Sequence, residues 1–416
     1  MTQGGEAMGR DETGRVVFVP YTIAGEEIVA QIVEEKKNYA RARLVQVVTP
    51  SPARIDARCP HFGPPEDEAQ QSAENETPLR GCGGCQWQHI AYAAQLKFKA
   101  NIVREQFARI GKLPDAPVRD TIGMDEPWRY RNNVQFQMDA ESRLCFRALD
   151  SHNLVRIREC HVLHPLLDEM FHAVDFDGVN FNSVTLRAGT RTGQRMLVLE
   201  GRDAQAPEIA VDEPVSIAYQ TPEGAITSLI GKDALHEELH GRGFRVSPAS
   251  FFQVNTAMAE RLIELVERYL EPRPEDTLLD AFGGVGTFGL VLASRVKRVI
   301  EIEESASAVE DARANAVDLA NVEFHRGTVE DVLPGLKAKI DLVVADPPRA
   351  GFAPRALQAL SACAPRTLAY VSCDPATLAR DARRLIDGGY ELIETQPVDL
   401  FPQTFHIETV SWFRRR

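Results

Sequence analysis

Apolar and polar positions change their period along this chain, and the changes divide it into three. Over the first fifty residues, short alternating stretches at 15–20, 27–34 and 41–49 are punctuated by Gly9, Gly14 and Gly25. Closely spaced strands with glycine turns predict a small β-barrel of the oligonucleotide-binding (OB) kind over 1–56. From 92 to 110 the apolar residues recur at helical intervals and Gly111 stands as a stop, which predicts a helix. Alternation resumes between 128 and 235 in V-Q-F-Q-M-D, R-L-C-F-R-A-L, S-V-T-L-R-A-G, R-M-L-V-L-E-G and S-I-A-Y-Q-T. That pattern predicts an antiparallel sheet within a central, β-rich domain over 57–242.

The grammar then becomes strand, helix, strand, helix. Strands are predicted at 277–280, 299–303, 322–325, 340–346, 368–372 and 390–399, with helices at 257–270, 287–294, 306–320, 354–362 and 375–387. Such alternation predicts an α/β, Rossmann-like doubly wound sheet over 243–416, against which the 91–111 helix is expected to pack.

Charge and composition narrow the picture. The chain of 416 residues carries a net charge of -13, which weighs against attraction of nucleic acid by its whole surface. The stretch 31–58 runs the other way, with Lys36, Lys37, Arg41, Arg43, Arg54 and Arg58 against Glu34, Glu35 and Asp56. It reads as a basic face or as a solvated strand surface. No apolar run is long enough for a membrane span and no basic-then-apolar leader follows Met1, so a cytoplasmic protein without membrane attachment is expected. Residues 63–78 are acidic and aperiodic, as in an extended loop.

In L-L-D-A-F-G-G-V-G-T-F (278–288), Gly283, Gly284 and Gly286 would let the backbone turn sharply and approach a ligand. Glu303 ends the next strand, where a carboxylate accepts both hydroxyls of a ribose. NAD and S-adenosylmethionine fit that spacing equally. In V-V-A-D-P-P-R-A-G-F (343–352), the prolines would hold Asp346 at the carboxyl edge of the sheet. Amine methyltransferases carry an aromatic residue after such a D-P-P; Arg349 stands there instead and points to another way of activating the target.

Carbon 5 of uracil is a poor nucleophile until a thiolate adds at carbon 6, and a base must afterwards remove the carbon-5 hydrogen. Cys373, in V-S-C-D-P-A-T-L-A-R-D, ends a predicted strand, and the helix opening near 375 is expected to lower its pKa. In D-L-F-P-Q-T-F-H-I-E-T-V (399–410), His406 and Glu408 fall on one side of a strand-like stretch and are candidate bases.

An odd count of seven cysteines argues against a disulfide framework. Cys59, Cys82, Cys85 and Cys160 could satisfy a tetrahedral zinc or a [4Fe-4S] cluster, and their spacing leaves both open. Nearby His61, His89, His161 and His164 are expected to be satisfied or exposed, and Cys145 and Cys363 to be core residues. W-R-Y-R-N-N-V-Q-F (128–136) interleaves Arg129 and Arg131 with Trp128, Tyr130 and Phe136, either to stack on unpaired bases or as an amphipathic strand.

Together, V-S-C-D-P-A-T-L-A-R-D, D-P-P-R-A-G and F-P-Q-T-F-H-I-E resemble the RNA 5-methyluridine methyltransferase family; the C-G-G-C core resembles its iron-sulfur-containing 23S rRNA branch, and G-R-V-V-F-V-P-Y-T-I-A-G-E (14–26) resembles the N-terminal TRAM domain of that branch. The resemblance implies an S-adenosylmethionine-dependent enzyme with Cys373 as nucleophile and Glu408 as base. It implies cofactor contacts at Gln253 (in S-F-F-Q-V-N), Phe282, Thr287, Glu303 and Asp346, and a [4Fe-4S] cluster on Cys59, Cys82, Cys85 and Cys160. The expected partner is RNA, 23S rRNA with tRNA as the alternative, presenting an unpaired or flipped uridine to a monomeric enzyme. Gly283 and Thr287 depart from the family's usual Cys and Asn, and Asp374 replaces an Asn, adding a negative charge that raises the thiol pKa. Two rivals remain: an NAD-dependent oxidoreductase leaves the Cys373 and Glu408 motifs without work, and a catalytically silent RNA-binding iron-sulfur protein needs only the barrel and cluster.

Overall fold

Strands β1 (Ala7–Arg10), β2 (Val16–Val19), β3 (Glu27–Glu35) and β4 (Tyr39–Thr49) form a sheet in the order β1-β2-β4-β3 in the computed structural model, which describes residues 1–64, 81–149, 151–176, 181–209, 211 and 214–416. The acidic loop expected over 63–78 lies, from 65 onward, outside the described residues. Pairing is antiparallel except between β2 and β4. Its buried strip is small, Val17, Val19, Ala40 and Ala42. β1, which the glycine punctuation concealed, completes the sheet.

Helix α1 (Tyr92–Arg109) leaves this module and packs along the C-terminal unit, burying Ile102, Val103 and Phe107 in the core on one side of the C-terminal sheet. The central sheet comprises β5 (Asn133–Met138), β6 (Leu144–Arg147), β7 (Leu154–Arg156), β8 (Phe181–Ala188), β9 (Arg195–Gly201), β10 (Ser216–Gln220) and β11 (Ile226–Ile230), in the order β11-β10-β9-β8-β5-β6-β7. Helix α2 (Pro165–Ala173) covers one face with Leu167, Met170 and Phe171. The sheet is not wholly antiparallel as expected: β9 and β10 run parallel. Alternation reports which residues face the core but not strand direction, and a parallel neighbour requires the crossover that joins Gly201 to Ser216.

Hairpin β12 (Leu235–Leu239) and β13 (Arg242–Val246) turns through His240 and Gly241, both at positive φ. Its Leu239, Phe244 and Val246 belong to the core beneath α3 (Thr256–Leu270), so the C-terminal unit gathers residues from before 243.

That unit alternates β14 (Thr277–Ala281), α4 (Gly289–Leu292), β15 (Arg298–Glu303), α5 (Ala306–Asn315), β16 (Val322–Arg326), α6 (Val329–Val332), β17 (Leu342–Ala345), α7 (Pro354–Cys363), β18 (Thr367–Ser372), α8 (Pro375–Asp387), β19 (Tyr390–Val398) and β20 (Glu408–Arg415). The order is β16-β15-β14-β17-β18-β20-β19, with β20 inserted antiparallel. Every residue of β17 and β18 is buried, because helices cover both faces. Strand order reverses between β14 and β17, which opens a ligand crevice at their carboxyl ends. Among the described residues no helix is long and apolar enough to cross a membrane.

Candidate active site

Sheet register brings most of the expected cofactor residues to one edge. The ladders end at Ala281 opposite Ile302 and at Ala281 opposite Ala345. One residue further on, Phe282, Glu303 and Asp346 stand side by side. Phe282 sits at φ 69°, and Gly284 and Gly286 also have positive φ, so the chain turns back at once after β14. Glu303 braces this turn: its carboxylate accepts from Gly284 N at 2.9 Å and Ser305 N at 2.7 Å. Thr287 is buried directly after it. From the opposite side Gln253 Nε2 reaches Asp346 Oδ2 at 3.4 Å, and Asn132 Nδ2 holds the Gln253 carbonyl at 3.0 Å. A Cβ on Gly286 would collide with Leu290 and sit at φ 91°. Gly286→Ala is therefore expected to lower unfolding free energy by about 1–3 kcal/mol and to weaken S-adenosylmethionine binding, read by thermal melting with and without the ligand.

The pairing of β18 with β20 ends at Ser372 opposite Thr409, where Thr409 Oγ1 donates to the Ser372 carbonyl at 3.0 Å. Continued by one step, that register sets Cys373 opposite Glu408, and cross-strand partners project to the same face. Glu408 is buried, and its Oε1 has no hydrogen-bond partner among the described residues. Burial and the nearby Asp346 push its pKa well up. Burial likewise lifts Asp346 to about 7.

Cys373 corrects one expectation. Its pKa is raised, not lowered, to about 12: burial acts first, then the charges of Glu408 and Asp346, with Arg349 opposing them and Asp374 adding to them. Asp374 caps α8, accepting from Ala376 N and Thr377 N, and its other oxygen accepts from Gln3 Nε2 at 2.9 Å. Arg349 Nε lies 3.7 Å from the same oxygen. The strand-like stretch expected around His406 is corrected too: the residue precedes β20, its ring packs against Phe401 and Phe405, and burial lowers its pKa to about 4.

Several residues of the site escaped sequence reasoning. Glu301 is buried with both carboxyl oxygens unpartnered among the described residues, under a turn where a Cβ on Gly283 would come within 3.3 Å of it. Burial raises its pKa, as it raises that of Asp280 to about 7. Phe251, two residues before Gln253, is 70% exposed. An aromatic side chain with its ring in solvent beside buried polar groups was the signal available.

Cys59, Cys82, Cys85 and Cys160 all line one cavity, with Arg131, His61 and Phe146. The C-G-G-C loop is pinned by Cys82 N to the His61 carbonyl and Gly83 N to the Arg147 carbonyl, and Gly84 N approaches Cys82 Sγ at 3.4 Å. Burial raises all four thiols, Cys59 to about 11 and Cys160 to about 12. Among the described residues no group of three or more Cys, His, Asp or Glu side chains is placed to hold a metal ion. His61 Nε2 accepts from Arg158 N and His164 caps α2, both structural duties. Cys145 is buried, and Cys363 packs at the edge of the core.

The 128–136 stretch is divided. Tyr130 and Phe136 are core residues, Tyr130 donating to the Pro402 carbonyl at 3.0 Å, so neither is available to a base. Trp128, with Arg58 over its ring at 5.3 Å, and Arg129 remain near the surface.

Residues 228–416 match the family model for tRNA (uracil-5-)-methyltransferases, and 2–45 match the TRAM domain. The chain is 37% identical to an uncharacterized RNA methyltransferase of Gloeobacter violaceus, covering 100% of this chain and 95% of that one. It is 34% identical to one of Halalkalibacterium halodurans, covering 96% and 92%. The structure resembles that of the Pyrococcus abyssi tRNA (uracil-54, C5)-methyltransferase in complex with S-adenosyl-L-homocysteine, at a TM-score of 0.76 and 25% identity over 98% of this chain and 100% of that one. A thiol opposite a buried carboxyl at the carboxyl edge of a doubly wound sheet fits that likeness, and the chain belongs to the S-adenosylmethionine-dependent RNA uracil-5 methyltransferases.

Proposed function

We propose that the enzyme methylates carbon 5 of one uridine in 23S rRNA, with Cys373 as nucleophile and Glu408 as base. The supporting observation is the strand register that sets Cys373 opposite Glu408 beside Asp346. Cys373 gives its proton to solvent and its sulfur bonds to carbon 6, which moves the electron pair of the carbon 5–carbon 6 double bond toward carbon 5. Gln253, Phe282, Thr287, Glu303 and Asp346 would hold S-adenosylmethionine, which when bound would supply the methyl group that carbon 5 receives and leave as S-adenosylhomocysteine. Glu408 then takes the carbon-5 proton, the double bond re-forms, and the thiolate leaves. Arg349 offsets the negative charge around the sulfur. Phe251 offers a ring face to an unpaired base. The enzyme acts as a cytoplasmic monomer.

The four cavity cysteines hold a [4Fe-4S] cluster. Thiols arranged around a cavity suit a cluster, whose irons and sulfides fill the space between them; a zinc ion with bonds of about 2.3 Å draws its sulfurs nearly into contact. Protein purified without oxygen is expected to carry iron and acid-labile sulfide in equal amounts, and Cys85→Ser to lose both. Stoichiometric zinc instead would overturn the assignment.

Transfer RNA is the second reading, favoured by the likeness to the Pyrococcus abyssi enzyme. Mass mapping of 5-methyluridine in ribosomal and transfer RNA from cells with and without the gene decides between them. Loss of the modification from neither RNA would sink both.

A further inference from the structure

Lys99 is 0% exposed, a lysine on α1 sealed inside the protein 300 residues away in sequence from the groups it meets. Burial lowers its pKa, and Asp399 opposes that shift. All three ammonium protons are committed: to Asp399 Oδ1 at 2.6 Å, to the Phe401 carbonyl at 3.2 Å and to the His406 carbonyl at 2.7 Å. These acceptors are the two ends of the turn between β19 and β20. An ion pair alone would need only the carboxylate; here two-thirds of the donors go to backbone.

We propose that Lys99 is the positioning residue for Glu408. By tying the Phe401 and His406 carbonyls to one point, it fixes how the chain enters β20 and therefore which atom of the bound pyrimidine the Glu408 carboxyl faces. Other elements hold the first part of the turn, with Asn255 on the Leu400 carbonyl, Tyr130 on the Pro402 carbonyl and Gln86 N and Trp87 N on the Gln403 carbonyl; nearer the exit His406 N donates to Thr404 Oγ1 at 3.2 Å, and the tether that reaches in from α1 to the His406 carbonyl, two residues before Glu408, is Lys99. Gln95, one helical turn before Lys99 on α1, accepts from Gln403 N at 3.1 Å and holds the middle of the same turn. The central region thus reaches the base of the reaction through α1. This proposal rests on the reading of Cys373 and Glu408 given above and adds a residue that touches neither substrate nor cofactor.

The test separates the carbonyl tethers from the buried ion pair. Replacing a buried pair by apolar side chains of similar size is often neutral for stability, so Lys99→Met/Asp399→Leu in the full chain removes the charges together, with the Tyr92 hydroxyl's contact to Asp399, and leaves the two carbonyls untethered. Asp399→Asn keeps the tethers and removes one charge. With uridine-containing substrate RNA, the double variant is expected to release product about 100-fold more slowly, to accumulate a covalent protein–RNA complex on denaturing gels, and to keep both KM values within about twofold; Asp399→Asn is expected to stay within about threefold of the native rate. Native turnover by a folded double variant overturns the proposal, as does equal slowing by Asp399→Asn. A native protein that forms no adduct with 5-fluorouridine RNA would instead sink the Cys373 reading itself. A double variant that fails to fold while Asp399→Asn is fast and Lys99→Met alone is folded and fast also overturns it.

Discussion

Cys373→Ala is expected to lose methyl transfer by about 10⁴-fold or more, the scale seen when an enzyme's nucleophile is removed, while still binding S-adenosylmethionine. At room temperature that corresponds to about 5.5 kcal/mol of transition-state stabilisation. The size follows from the target: without sulfur at carbon 6, nothing in the site can place an electron pair on carbon 5. Covalent trapping by 5-fluorouridine RNA should vanish with it. A second consequence comes from the sulfur's surroundings. Burial and the charges of Glu408 and Asp346 hold its pKa at about 12, so the free enzyme is almost wholly thiol at neutral pH. Alkylation of Cys373 by iodoacetamide should accordingly be slow at pH 7 and rise about tenfold per pH unit toward 10, since the thiolate alone reacts. Arg349→Gln, which removes the cation opposing that shift, should slow alkylation further. Substantial turnover by Cys373→Ala would end the nucleophile assignment.

What could be read in the sequence, and what could not, divides along the range of the interactions. Cys373 at the end of a buried strand and the start of a helix is local information, and the strand 368–372 with its following helix lies in β18 and α8. Its pKa is not local, because Glu408 and Asp346 arrive from β20 and β17, neighbours of β18 only once the sheet has formed. The stretch around His406 was misread for a related reason. A period of two assumes an extended chain, but the chain before Glu408 is a turn whose ends Lys99 gathers from another part of the molecule. Tyr130 shows the same limit: its spacing leaves base stacking and a place in the core equally open, and the neighbours that bury it, Tyr21, Phe62 and Val162 with the Pro402 carbonyl on its hydroxyl, come from distant segments. Glu301 lies in V-I-E-I-E-E, where, of the first two glutamates, Glu303 holds the edge of the crevice turn and Glu301 lies against the underside of the glycine turn. Charge type alone cannot tell the two apart.

Glu408→Gln should stop the reaction halfway. The amide keeps the shape of the carboxyl but cannot take a proton from carbon 5, so Cys373 adds, the methyl group is transferred, and the enzyme remains bonded to a methylated uridine. One equivalent of S-adenosylhomocysteine per enzyme is expected, then turnover about 10³-fold below native, with a retarded protein–RNA band in denaturing gels even for RNA containing ordinary uridine. The native pH profile carries the signature of the same group. Burial and Asp346 raise the Glu408 pKa, and the group must be ionised to act, so the rate of adduct release should climb with pH until that raised pKa is passed. Asp346→Asn removes the negative neighbour, makes ionisation of Glu408 easier, and should shift this limb toward acid when measured with S-adenosylmethionine saturating. A Glu408→Gln enzyme that releases product at the native rate, or that never forms the adduct although it folds and binds S-adenosylmethionine and RNA, would require the base to be found elsewhere in the crevice. Asp346, whose own pKa stands at about 7 and whose charge acts on the sulfur next after that of Glu408, would then be the group to examine.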